Sequence, residues 1–251
     1  MGHRKRYARY DLQGLLVVDK PLGWSSMDVV RHVRRAGGNV KTGHAGTLDP
    51  LATGVVICCI GKATTLVESL MDHTKIYEAT IDLTAFTTTD DLEGERIEVQ
   101  VQTPPTEVDV RSALSPFVGL IDQKPPAFSA LHVDGKRAYD LARQGEIVDL
   151  PTRKVQIDSI ELLNYDWPNV EVRITCGRGT YIRSIARDLG NALKTGGHLT
   201  ALRRTASGQY NLSQAVTKDR LEQPIEQIDL IDTAQMLEEL KAKKQAQKPT
   251  Q

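Results

Sequence analysis

Residues 54–61, GVVICCIG, form an unbroken apolar run. A run of this length, without polar alternation, predicts a central strand covered on both faces. It commits the chain to a sheet with further layers packed on it. Around it the pattern changes. In IYEATIDL (76–83), Tyr77, Ala79, Ile81 and Leu83 alternate with Glu78, Thr80 and Asp82, the period of a half-buried strand. RKVQIDSIELLNYD (153–166) and VEVRITC (170–176) read as strands, with Val170, Val172, Ile174 and Cys176 on one face of the second. LLVVDKP (15–21) reads as a short buried strand stopped by Pro21.

Helical spacing appears between these strands. In WSSMDVVRHVRRAGG, Ser25 and Asp28 form a capping box, Val29, Val30, Val33 and Ala36 make an apolar stripe, and Gly37 is the stop. Arg31 and Arg35 lie one turn apart off that stripe, where a phosphate would meet both. KATTLVESLMD reads as a helix, EVDVRSALSPFVG as one broken near Pro116, and a further helix ends at Gly145. GRGTYIRSIARDLG turns into a helix with Thr180 as cap and Ile182, Ile185, Ala186 and Leu189 as the buried stripe. GHAGTLDPLATG and TTTDDLEGER read as loops, the second exposed. The C-terminal residues, ending KAKKQAQKPTQ, read as a short helix with a basic tail. Strands and helices do not alternate regularly. The expected class is therefore α+β, with a mixed, mainly antiparallel central sheet and flanking helices.

Composition narrows the function. With 40% hydrophobic and 25% charged residues the chain is an ordinary globular one. No apolar run approaches the ~20 residues of a membrane helix. The basic N-terminus has no apolar segment after it, so no secretory signal is expected, and Arg6 argues against myristoylation. Cys58 and Cys59 are adjacent in the apolar run and Cys176 is alone. That usage predicts free buried thiols, a reducing, cytoplasmic compartment and no metal site. The net charge is zero but unevenly spread: residues 1–62 carry 10 − 4 = +6, residues 72–122 carry 3 − 11 = −8, and residues 173–220 carry 9 − 2 = +7. The two basic segments either build one positive face for a nucleic acid or scatter over a solvated surface.

Several side chains have both a plain and a chemical reading. Asp49-Pro50 is a good helix start, yet a carboxylate on the glycine-rich GHAGTLDP loop is also a candidate nucleophile. His44 is either a hydrogen-bonded loop imidazole or a flat wedge that fills the place of a flipped-out base. Tyr77 is core, or a ring that stacks on a nucleobase at ~1–3 kcal/mol per base. Arg183 is a solvent-facing helix residue, or reaches a carboxylate or phosphate. Lys20 is a surface lysine or a phosphate contact. Leu202-Arg203-Arg204 is a strand end, or two phosphate-gripping arginines beside a pocket-lining leucine. No dinucleotide or Walker glycine pattern is present, so no nucleotide cofactor is expected.

The order of the motifs decides among these. LLVVDKPLGWSS, GHAGTLDPLATGVV, IGKATTL, KIYEATI, QKPPAFSALHVDGKRAYDLARQG, GRGTYIRSIARDLG and LTALRRTASG together closely resemble the TruB family of tRNA pseudouridine synthases. The match runs from about residue 14 to about 210. GHAGTLDP and GTYIRSIARDLG are its specific blocks; DKP and LRR alone are weak. The resemblance implies the pseudouridine synthase catalytic fold over 10–215, with an active-site cleft, followed by a short helical segment and basic tail over 216–251. It implies conversion of a uridine in the tRNA T-loop (position 55) to pseudouridine: the base is detached from its ribose, turned and rejoined through carbon, without cofactor or metal. Asp49 then matches the catalytic aspartate, Tyr77 the stacking tyrosine and Arg183 the arginine paired with the aspartate. His44 would take the place of the target base in its stack. Lys20 and Pro21 match the DKP element near the active site, and Tyr181 and Leu202 line the uridine pocket.

The implied partner is the T-arm stem-loop of tRNA, met by a monomer without guide RNA or membrane. Two departures stand out. About 40 residues follow LRRTASG, too few for the PUA-type RNA-binding domain of many bacterial members. His132 stands where the SALK lysine is usual, so a phosphate contact there becomes pH-dependent or is lost. The catalytic subunit of a guide-RNA particle shares this fold, but carries the C-terminal domain and further extensions. A tRNA-binding folding factor has no use for a carboxylate aimed at phosphates.

Overall fold

The computed structural model describes residues 12–129, 132–133, 136–137 and 150–246. In chain order the first elements are β1 (Gly14–Lys20), α1 (Ser26–Ala36), β2 (Thr42–His44), β3 (Ala52–Ile60), a 3-10 turn (Gly61–Leu66) and α2 (Val67–Met71). Then come β4 (Lys75–Asp82), β5 (Ala85–Thr87), β6 (Arg96–Glu98), α3 (Glu107–Leu114), β7 (Gly119–Gln123), β8 (His132–Val133) and β9 (Lys136–Arg137). The remainder comprises β10 (Arg153–Asp166), β11 (Asn169–Cys176), α4 (Ile182–Leu193), β12 (His198–Ser207), β13 (Tyr210–Asn211) and α5 (Ala234–Ala246). The expected helix ending at Gly145 lies outside the described residues, as do the side chain of His132 and the last five residues of the basic tail. No described helix is long and apolar enough to cross a membrane.

The chain divides into two compact units, Met1–His73 with Arg204–Gln251, and Thr74–Arg203. In the first, the apolar run is β3, with every residue but Thr53 buried. β1 pairs antiparallel with it, Leu16 opposite Cys58 and Lys20 opposite Gly54. β2 also pairs antiparallel with β3, His44 opposite Cys58. The C-terminal chain returns to stitch β1: Leu15 and Ile231 exchange both backbone bonds, and Asp19 N–H reaches the Val216 carbonyl at 2.9 Å. Leu15, Val17, Val55, Ile57, Cys59, Leu66, Leu70 and Tyr210 form the core, on which Met236, Leu237 and Leu240 of α5 pack. Helix α1 starts as its sequence demands: Ser25 Oγ accepts from Asp28 N–H at 3.1 Å, and the Asp28 carboxylate accepts from Ser25 N–H at 2.8 Å. Such a cap is worth about 1 kcal/mol. The helix stops at Gly37, but the left-handed residues are the next two, Gly38 and Asn39 (φ 68° and 69°).

In the second unit β4, β11, β10 and β7 pair antiparallel in that order, with β12 beside β4. The register sets Tyr77, Ala79 and Ile81 opposite Ile174, Val172 and Val170. These six residues form the buried row that the alternation predicted. On the other face Arg173 pairs with Glu78 at 2.9 Å and Glu161 at 3.0 Å. Helix α4 buries Ile182, Ile185, Ala186 and Leu189 as expected. Its cap is Tyr181, not Thr180, whose hydroxyl turns back to the Gly177 carbonyl at 3.3 Å. Gly190 of α4 lies against the Gly196-Gly197 turn, where a Cβ would meet the Gly196 carbonyl oxygen at 2.3 Å. All three cysteines are free and buried.

Candidate active site

The GHAGTLDP segment belongs to the first unit, and only part of it is a loop. His44 lies in β2, and Ala45 N–H continues the ladder to the Ile57 carbonyl at 2.9 Å. Asp49 then opens a turn closed by the bond from Ala52 N–H to the Asp49 carbonyl at 3.0 Å, which feeds β3 directly. The helix-start reading of Asp49-Pro50 therefore fails: a strand follows, and the carboxylate caps no helix. Asp49 itself is half-buried.

Three buried side chains hold this segment. Ser26 Oγ accepts from Leu48 N–H at 2.8 Å and lies 3.2 Å from the Leu48 carbonyl. Lys20 ends β1 fully buried, beside Pro21. Its Nζ donates to the carbonyls of Trp24 (2.5 Å), Pro21 (3.2 Å) and Pro50 (3.4 Å). Lys20 is thus neither a surface lysine nor an exposed phosphate contact. Burial lowers its pKa to about 8, against the opposing pull of the Asp49 carboxylate and with a smaller push from Arg204.

Arg204 is the third, and it corrects the sequence reading. It is 1% exposed, out of reach of any phosphate. Its Nε donates to the Val55 carbonyl at 2.7 Å, Nη2 to Gly46 at 3.1 Å and Nη1 to Thr47 at 3.4 Å. One planar fork so ties the chain before Asp49 to the strand after it. A hydrogen bond to a charged donor contributes about 1.5–3 kcal/mol, and a buried carbonyl left without one costs a similar amount. Two glycines let the backbone follow this path. Gly54 (φ +101°) would drive a Cβ to 2.2 Å from the Arg204 carbonyl oxygen, and Gly46 has φ +102°. Burial, and after it the Arg204 charge, lowers the His44 pKa, so the imidazole is neutral near pH 7.

The second unit holds Tyr77, Tyr181, Arg183 and Leu202. Tyr77 and Leu202 sit on the neighbouring strands β4 and β12, 9% and 8% exposed. Arg183 is buried, not solvent-facing: residue exposure is 6%. Its Nη1 donates to the Thr89 carbonyl at 3.1 Å and lies 3.5 Å from the Asp91 carboxylate, and Nη2 donates to the Phe128 carbonyl at 3.0 Å. One turn on, Arg187 donates to Asp90 at 2.8 Å and to the Lys124 carbonyl at 2.9 Å. The TTTDDLEGER segment is therefore not simply an exposed loop. Asp90 and Asp91 are 9% and 3% exposed, between the hairpin strands β5 and β6. Burial raises the Asp90 pKa to about 6 even beside Arg187. Sequence reasoning missed both carboxylates. The available signal was two arginines one turn apart on a helix whose buried face needed charge partners. Among the described residues no cluster of three metal-ligating side chains occurs. On α1, Arg31 pairs with Asp28 and Arg35 with Glu222, both at exposed positions.

Comparison with known proteins places the chain in a family. The family model described as TruB family pseudouridylate synthase (N terminal domain) matches residues 34–182. The model for the tRNA pseudouridylate synthase B C-terminal domain matches residues 183–241. The chain is 48% identical over 214 residues to tRNA pseudouridine synthase B of Trichormus variabilis, covering 84% of this chain and 73% of that one. It is 48% identical over 222 residues to tRNA pseudouridine synthase B of Bacteroides fragilis, covering 86% and 95%. Among solved structures, a protein of the archaeal box H/ACA sRNP is similar with a TM-score of 0.63 and 29% identity, over 86% of this chain and 55% of that chain. A chain of an H/ACA RNP bound to a substrate RNA containing 2'-deoxyuridine gives 0.63 and 25%, over 87% and 60%. This chain thus spans somewhat more than half the length of those two.

Proposed function

The chain belongs to the TruB family of pseudouridylate synthases, and on that premise we propose that it isomerises a uridine of tRNA to pseudouridine at position 55 of the T-loop, with Asp49 as the nucleophile. The observation that carries the reading is the anchoring of the GHAGTLDP segment. Ser26, Lys20 and Arg204 fix its backbone on both sides of Asp49. A carboxylate on so rigid a mount loses little freedom when it meets a reacting carbon.

The reaction balances within the nucleotide. The C1'–N1 bond breaks, a C1'–C5 bond forms, C5 gives up its proton and N1 gains one. Nothing is oxidised or reduced. Asp49 attacks either the sugar C1' or the uracil C6. Arg183, which matches the family's arginine partner of the catalytic aspartate, is the cation assigned to that carboxylate in this reading. Tyr77 stacks on the loosened base while it turns, and Tyr181 and Leu202 line its pocket. His44, neutral near pH 7, fills the stack that the flipped uridine leaves; an uncharged ring is the better wedge among bases. Lys20 and Pro21 act from beneath, through the backbone. Asp49 attack needs no metal or cofactor in this scheme.

The likeness to H/ACA proteins favours a second reading, a subunit directed by guide RNA. The higher identity to proteins named tRNA pseudouridine synthase B weighs against it. Incubation of the purified protein with an unmodified tRNA transcript, without other RNA or protein, separates the two: pseudouridine at position 55 supports the first, and no conversion without a guide removes it.

A further inference from the structure

Tyr181 stands at the head of α4 in an extended conformation (φ −102°, ψ 114°). One side chain answers both of its peptide groups. Gln123 Oε1 accepts from the Tyr181 N–H at 2.8 Å, and Gln123 Nε2 donates to the Tyr181 carbonyl at 3.1 Å. A primary amide suits this because it offers a donor and an acceptor side by side. Gln123 ends β7 and is 1% exposed, so its reach is fixed. Its cross-strand partner is Arg153, the first residue of β10. The Arg153 guanidinium carbon lies 4.6 Å from the centroid of the Tyr181 ring, over its face. Nη2 of the same group donates to the Gly179 carbonyl. A Cβ added at Gly179 (φ +89°) would meet this guanidinium only at ordinary van der Waals distance. A single rung of the β7–β10 ladder thus holds both the backbone and the ring of Tyr181.

We propose that Gln123 and Arg153 are positioning residues for Tyr181: the amide sets where its backbone sits, and the guanidinium covers one ring face so that the uridine meets the other. The proposal rests on Tyr181 lining the uridine pocket. Neither residue touches substrate in it. A guanidinium on an aromatic face is worth about 0.5–2 kcal/mol, and its loss lets the ring rotate about its side-chain bonds.

The test is a double-mutant cycle read by single-turnover pseudouridine formation at saturating tRNA transcript, together with RNA affinity at several salt concentrations. Arg153→Met is expected to slow the reaction about twofold to thirtyfold, with an unchanged salt slope. Arg153→Lys, which keeps the cation, recovers part of the loss. Gln123→Glu, which keeps the acceptor and loses the donor, slows it as well. In a Tyr181→Ala background, Arg153→Met adds less than about twofold, since its effect passes through the ring. Because Arg153 is only half-buried, its variants keep the test alive if Gln123→Glu fails to fold. Losses that multiply in the double mutant, or a shallower salt slope in Arg153→Met, would make Arg153 a direct phosphate ligand and overturn the proposal. A normal rate for Arg153→Met beside a slow Tyr181→Ala removes the clamp and leaves the pocket reading intact. A normal rate for Tyr181→Ala removes the pocket reading, and the clamp with it.

Discussion

The guanidinium of Arg183 lies 3.5 Å from the carboxylate of Asp91, and both side chains are nearly sealed from solvent, 7% and 4% exposed. Breaking such a pair from one side leaves an uncompensated buried charge, which costs about 3–5 kcal/mol. Asp91→Ala is therefore expected to lower the denaturation midpoint clearly and to slow pseudouridine formation, because Arg183 loses one of the groups that fix its plane. Asp91→Asn, which keeps the shape, should retain more of both. Urea unfolding and single-turnover rates check this; an Asp91→Ala protein with normal stability and rate would show that the pair carries no weight.

Arg204 should resist conservative replacement. A lysine is a point donor and cannot span the carbonyls of Gly46, Thr47 and Val55 at once. Arg204→Lys is expected to cost about 2–4 kcal/mol of stability. Its rate at saturating tRNA should fall while tRNA affinity holds, since the altered part is the mount of Asp49. Equal loss from Arg204→Lys in binding and rate would instead indicate an RNA contact.

Stability should rise with pH at the alkaline end. The buried Lys20 titrates at about 8 in the folded chain, against an unperturbed 10.5. Between those values the unfolded chain binds the extra proton, so raising the pH through this window favours the folded state. Below about 8 both states are protonated and the burial penalty stands in full. Lys20→Met should flatten the rise between about pH 8 and 10.5 relative to wild type, measured as the difference in unfolding free energy; an unchanged profile would place the titration elsewhere.

Binding of tRNA should weaken steeply with salt if the basic segments 1–62 and 173–220 serve the phosphate backbone. Several of their cations are already paired: Arg31, Arg35, Arg183 and Arg187 each have a carboxylate partner. The slope should accordingly be smaller than the count of basic residues suggests. A flat response to salt would remove the idea of a charged face.

Periodic features were readable from the sequence, and contacts between distant segments were not. The unbroken run at 54–61 gave β3, the alternation at 77–83 gave the buried face of β4, and Ser25 with Asp28 gave the start of α1. Each is decided by neighbours within a few residues. The fates of Arg204, Lys20, Asp90 and Asp91 are not. Arg204 is buried because its fork finds the carbonyls of Val55, Gly46 and Thr47, and Asp90 and Asp91 because α4 presents Arg187 and Arg183 to them. A polar string such as TTTDDLEGER carries no mark of partners some ninety residues away. Thr180 and Tyr181 show a smaller failure of the same kind: the better capping side chain lost to a residue held by Gln123.

The most direct measurement replaces Asp49 by Asn and follows position 55 of an unmodified tRNA transcript at base resolution, alongside tRNA affinity. The account predicts pseudouridine at that position with the native chain, none above background with Asp49→Asn, and nearly unchanged binding in the variant. Pseudouridine formed by Asp49→Asn at a rate near that of the native chain would contradict it.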